Sequence, residues 1–258
     1  MTDVENRTRS STYVGVGWGI HLFTCFGIVC GVLSLEAALG GHVKPALLWL
    51  LATQVIDGVD GPIARALRVE LRVARVDGYL LDLVIDYVTC VIVPTVLLHK
   101  FELLPSGVPS FLGEAAIVCS GAIWFSRTDM CTEDHHFRGF PAEWNLVVTS
   151  FMLLHMSQWT NFAATALLAV LSLTGVLFVH VVRVVKGRTL TIAVFTLWLA
   201  AMGWSTIRYP DTPGWARLVL IASPLYYVGL AVKRTVEVHR QSKVDQPASA
   251  PSASVASA

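Results

Sequence analysis

Residues 57–86 read DGVDGPIARALRVELRVARVDGYLLDLVID. Two apolar runs meet in this stretch. The run 43–60 ends on Asp57 and Asp60, and the run 78–99 carries Asp82 and Asp86 in its first two turns. Spacings of three and four put each pair on one face of a helix. A charged interval between apolar runs of about 20 residues is the pattern of consecutive membrane-spanning helices joined on one side of a bilayer.

The same pattern extends in both directions. Spans are expected at 13–37, 43–60, 78–99, 103–125, 143–158, 161–182, 189–207 and 214–232. Of the 258 residues, 54% are hydrophobic and only 14% are charged, against about 25% charged in a typical soluble domain. A single soluble core of this size could not hide so much apolar surface. A net charge of +1 argues against a nucleic-acid partner. The expected fold is therefore all-α: a polytopic membrane bundle of about eight helices. It divides into an N-terminal segment 1–12, a membrane domain 13–235 and a disordered tail 236–258 rich in Ser, Ala and Pro. The polar start MTDVENRTRSSTY does not read as a removable signal peptide. The five cysteines lack metal spacing and read as small packing residues.

Sidedness follows from the basic residues. With eight spans both termini share one side. Of the 19 Lys and Arg, all but Lys44, Lys100, Arg208 and Arg217 fall on that side. The positive-inside rule makes it cytoplasmic. The expected location is the bacterial inner membrane, with the acidic stretch at the cytoplasmic interface.

Four carboxylates converging at a membrane boundary repel one another and need countercharge. Hard oxygen ligands suit Mg²⁺ or Mn²⁺, one ion or two. Gly61 and Gly78 leave the backbone open to a ligand, Ala64 continues a small face, and Arg65 can reach a phosphate oxygen. The competing reading makes the aspartates solvated helix-end residues; Asp77 and Glu70, which fall off the pattern, are expected to be solvated loop or N-cap residues. A cation transporter is a further alternative, but it would hold its carboxylates near the bilayer midplane.

The pattern Asp-x-x-Asp-Gly-x-x-Ala-Arg, twelve residues, Gly-x-x-x-Asp-x-x-x-Asp resembles the signature of the CDP-alcohol phosphotransferase family. More of the chain resembles a bacterial branch that joins free choline to CDP-diacylglycerol and releases CMP. The matching segments are HLFT at 21–24, DGVDGPIAR at 57–65, LDLVIDYVT at 81–89 and TEDHHFRGFPAEWN at 132–145. VHVVRV at 179–184 is similar to a His-Pro-Val-Arg-Val element of that branch, with Val181 in place of the proline.

The resemblance implies that Asp57, Asp60, Asp82 and Asp86 bind two divalent metals and that Asp86 is also the general base. Gly61, Ala64, Arg65 and Gly78 would hold the CDP-lipid, and Arg183 the lipid phosphate. A quaternary ammonium is held by aromatic faces and carboxylates, which points to Tyr87, Trp144 and Glu143 for choline. The implied partners are CDP-diacylglycerol, choline, membrane lipid and, as is frequent in the family, a second copy of the chain as a homodimer. Serine, glycerol phosphate or an inositol phosphate are the alternative acceptors, and a CDP-choline donor with a diacylglycerol acceptor is the reversed arrangement.

Overall fold

A computed structural model describes residues 3–67, 76–185 and 187–244. Helices α1 (Asp3–Leu39) and α2 (Val43–Ala66) form a hairpin. Helix α3 (Gly78–Asp86) passes through a π-helical turn (Tyr87–Ile92) into α4 (Val93–Lys100), giving one continuous rod. Then come α5 (Val108–Phe125), α6 (Trp144–Leu154), α7 (Gln158–Ser172), α8 (Arg188–Arg208) and α9 (Gly214–Val244). Strands β1 (His136–Arg138) and β2 (Leu177–Val179) form an antiparallel ribbon with Phe137 opposite Phe178.

The distribution of side chains is that of a protein dissolved in lipid. Leu22, Phe26, Val29 and Val32 of α1 point outward, whereas Ser34, Gln54, Asn145, Thr149 and Thr206 are buried. Several buried hydroxyls bond back to their own helix: Thr149 donates to the Asn145 carbonyl (2.7 Å) and Thr206 to that of Met202 (2.8 Å). Polar and small residues inside with apolar ones outside is how helices associate in a bilayer, where a greasy surface has no water to escape. Among the described residues, six stretches are long and apolar enough to cross a membrane: 15–39, 43–66, 78–100, 108–125, 188–208 and 214–241. The chain is an integral membrane protein.

Two expected spans differ. The run 143–158 holds the 11-residue helix α6, and 161–182 holds most of the 15-residue α7 followed by non-helical residues. At 1.5 Å per residue these rise about 16 and 22 Å, short of the roughly 30 Å hydrocarbon core. Residues 177–179 are strand β2 rather than helix, because they pair with β1. Both short helices are nonetheless tied at their ends. Near the α6–α7 turn, Gln158 donates to the Glu102 carbonyl, Asn161 to that of Leu103, and Thr212 to that of Leu153. At the other end of α7, Arg127 donates to the Thr174 carbonyl and the Gly139 N–H to that of Val176. The expected all-α fold is thus nearly all-helical, with one small ribbon.

Gly139 has φ +82°, and a Cβ there would run into the Ser172 carbonyl. Only glycine lets the 126–143 segment turn over the end of α7. Helix α9 continues past residue 235 to Val244, and the remaining tail lies outside the described residues. So do Glu70 and most of the Arg-rich loop before Gly78.

Candidate active site

Helix α1 is the platform for the site. Its Gly27 and Gly31 lie one turn apart. A Cβ at Gly27 would touch Ile56 and Ile85 (3.6 Å each), and one at Gly31 would crowd Thr89 and Val93 (3.3 Å each). These two small positions let α2 and the α3–α4 rod close on α1 together. The faces that meet carry the aspartates. Carboxylate oxygens of Asp57, Asp82 and Asp86 come within 4.8 Å of one another. Asp60 is buried beside them, and Thr24, Gly27, Thr53, Ile85 and Thr89 complete the walls of the same cleft. Helix α3 starts cleanly because the Asp77 side chain accepts from the N–H groups of Tyr79 (3.0 Å) and Leu80 (3.1 Å). Asp77 is therefore the N-cap, as its position off the motif suggested.

Three to four carboxylates around one small cleft are a hard, anionic oxygen set. They fit a divalent cation by chemistry and spacing. The π-helical turn begins immediately after Asp86, and such turns often mark functional positions.

Other motif residues border the cleft. The Arg65 guanidinium folds back along α2, so that a Cβ on Gly61 would be 3.1 Å from its Nη1. Arg65 faces Arg183, Asp82 and Asp60. Arg183, distant in sequence, is thus brought to the mouth of the site. Ala64 is half-buried on the same helix. Gly78 lies against His21, whose Cε1 would be 3.2 Å from a Cβ there. His180 stacks on Phe137 with ring centroids 4.8 Å apart. Burial and the neighbouring Arg183, Arg65 and His135 push its imidazole down to about 4, so it is neutral.

A family profile described as CDP-alcohol phosphatidyltransferase matches residues 21–177, which contain the cleft and every aspartate in it. The chain belongs to this family. CDP-alcohol phosphatidyltransferases generally depend on divalent cations, in keeping with the acidic cluster. Among curated relatives, the phosphatidylcholine synthase of Pseudomonas aeruginosa is 36% identical over 219 residues, covering 84% of this chain and 91% of its own. That of Brucella melitensis is 37% identical over 210 residues, covering 81% and 75%. That of Borreliella burgdorferi is 32% identical over 181 residues, covering 69% and 76%.

The three residues expected at a choline site are not gathered together. Glu143 sits just before α6, close enough to Asp57 and Asp86 for their charges to repel. Its Oε2 is buried with no hydrogen-bond partner. Trp144 is fully buried against Phe140, 5.4 Å between centroids, and its Nε1 is also unpartnered. Tyr87 turns instead toward α5: its hydroxyl donates to the Val118 carbonyl (3.3 Å) and its ring meets Phe125. One residue on from Asp86, its side chain leaves the helix roughly 100° around from the face that lines the cleft.

Two polar residues beside the candidate site were not singled out from the sequence. Gln54 and Asn145 are both buried and join α2 to α6. The usable signal was their polarity inside apolar runs, which is costly in a membrane unless it serves packing or chemistry.

Proposed function

We propose that this family member is a phosphatidylcholine synthase, transferring the phosphatidyl group of CDP-diacylglycerol to choline with release of CMP. The observation that carries the reading is the convergence of Asp57, Asp82 and Asp86 in a chain similar over most of its length to curated phosphatidylcholine synthases.

Asp57, Asp60, Asp82 and Asp86 would hold two divalent ions, Mg²⁺ or Mn²⁺. When bound, these neutralise the diphosphate and the charge that develops on the leaving phosphate. The choline oxygen forms a bond to the phosphorus that carries diacylglycerol. The bond from that phosphorus to the bridging oxygen breaks, and CMP departs with the electron pair. Asp86 accepts the hydroxyl proton, which choline would not otherwise give up near neutral pH. Gly61, Ala64 and Gly78 leave room for the cytidine and diphosphate. Arg65 binds the diphosphate and Arg183 the lipid phosphate. Glu143, beside Trp144, offers a negative charge to the quaternary ammonium.

In this reading the chain crosses the bacterial inner membrane eight times, α6 and α7 included, with both termini and the site on the cytoplasmic side. The ties at both ends of α7 and the skew of basic residues support it. The acyl chains then remain in the bilayer while the headgroup reaches the cleft.

The test supplies membranes holding the purified protein with CDP-diacylglycerol, Mn²⁺ and labelled choline, in parallel with serine and glycerol phosphate. Labelled phosphatidylcholine formed without CDP-choline is expected. Product from another alcohol alone would replace choline as the acceptor.

A further inference from the structure

Gln54 lies one turn before Asp57 on α2 and is 4% exposed. A buried amide inside a membrane helix must place both its oxygen and its NH₂ group. The neighbouring bonds settle which way it faces. The Asn145 Oδ1 accepts from the Leu146 N–H (2.9 Å), so the Asn145 Nδ2 is left to donate, and it donates to the Gln54 Oε1 at 2.7 Å. The Gln54 NH₂ therefore points toward the acids and donates to the Asp57 Oδ2 at 3.4 Å. The same amide is the hydrogen-bonding neighbour of the Glu143 carboxylate. One NH₂ group with two hydrogens thus stands between two carboxylates that would otherwise repel.

Glu143 differs from the aspartates in what it lacks. It precedes the first turn of α6 but caps no backbone N–H with its side chain. It is not among the carboxylates that converge within 4.8 Å. Its Oε2 is buried and unpartnered. A bare buried carboxylate oxygen is costly to maintain. A ligand that brings positive charge offsets that cost, and in the choline reading that charge is the quaternary ammonium of the acceptor.

We propose that Gln54 is a specificity-determining positioning residue. Its amide separates Glu143 from the metal carboxylates and keeps that carboxylate free for the quaternary ammonium of the acceptor. The proposal rests on choline being the acceptor. It adds a division of labour among the acids: Asp57, Asp82 and Asp86 serve the metals, Glu143 serves the organic cation, and a neutral donor keeps the two sets apart.

The test compares choline with 3,3-dimethylbutan-1-ol, which has the same shape with carbon in place of the charged nitrogen. The ratio of kcat/KM for the two alcohols is measured in wild type, Gln54→Met and Glu143→Gln. Methionine matches the length of glutamine but donates nothing. We expect the ratio to fall at least about ten-fold in both variants, mainly through a higher KM for choline, while the neutral alcohol is affected much less. An unchanged ratio, with kcat lowered equally for both alcohols, would make Gln54 a packing residue only and overturn the proposal. If Gln54→Met does not fold, Asn145→Ala, which unlocks the amide, carries the same expectation. Failure of the choline reading is distinguishable: the wild-type protein itself would then not use choline.

Discussion

The Asn145 side-chain amide donates to the Gln54 Oε1 at 2.7 Å, joining two helices far apart in sequence at the level of the acidic cleft. Both residues are buried, so breaking the pair strands a carbonyl oxygen. Asn145→Leu is expected to destabilise the protein by about 1–3 kcal/mol, the usual cost of a buried unsatisfied acceptor. Adding Gln54→Leu should cost less than the sum of the two single changes, because the second removes the stranded group. Thermal unfolding in detergent reads both, and strict additivity would show that the bond contributes nothing.

Asp86→Asn keeps the size of the side chain and removes the base and one ligand charge. Turnover is expected to fall by at least about 10²-fold, the lower range for loss of a general base. The variant should still insert into the membrane. Chelation by EDTA should abolish wild-type activity, with recovery on adding Mn²⁺ or Mg²⁺. Activity near normal after either treatment would remove Asp86 or the metals from the reaction.

His180 gives the fold a pH dependence with a definite sign. Burial, then Arg183, Arg65 and His135, push its pKa down to about 4 from an ordinary 6.5. The folded state therefore favours the neutral ring. Its contribution is present above about pH 6.5 and is lost as pH falls toward 4. The unfolding temperature of wild type should drop through that window, and His180→Gln should flatten this part of the profile. Asp134, held low by Thr132, His136 and Arg234 despite partial burial, contributes a loss of the same sign that remains in the variant.

Gly139→Ala should loosen the 126–143 segment. A left-handed backbone costs alanine about 1–2 kcal/mol, and the added methyl would also meet the Ser172 carbonyl. A lower unfolding temperature and faster proteolysis between α5 and α6 are the expected readouts.

The eight-crossing proposal puts the exposed Ser157, in the α6–α7 turn, on the outer side, and the exposed Cys131, before β1, on the inner side. A Ser157→Cys variant in an otherwise cysteine-free chain should react with an impermeant thiol reagent added to intact cells. A chain with only Cys131 should react after lysis alone. Protection of the cysteine at 157 in intact cells would mean that α6 and α7 do not cross.

The motif was legible because it is local. Asp57 and Asp60, and Asp82 and Asp86, share helix faces by spacing alone, and an apolar background makes few charges conspicuous. Asp77 was legible as a cap for the same reason. Tyr87 was assigned by its closeness in sequence to Asp86, but one residue on it points roughly 100° around the helix, toward Val118 and Phe125. The run 161–182 was read as one helix to its end because apolar composition does not show where a helix gives way to a strand that needs a distant partner.

Sequence alone therefore determined the solvent of this protein, most of its spans and the identity of its metal-binding candidates, since length, polarity and helical period are properties of neighbouring residues. Only the tertiary structure decided which faces meet. Gly27 and Gly31 on α1 allow α2 and α3 to approach until three carboxylates converge. Folding also brings Glu143, Asn145 and Arg183 to that cleft from segments with no local reason to be there. Close approach depends on the small residues of a third helix, and that dependence cannot be read from the two helices that carry the charge.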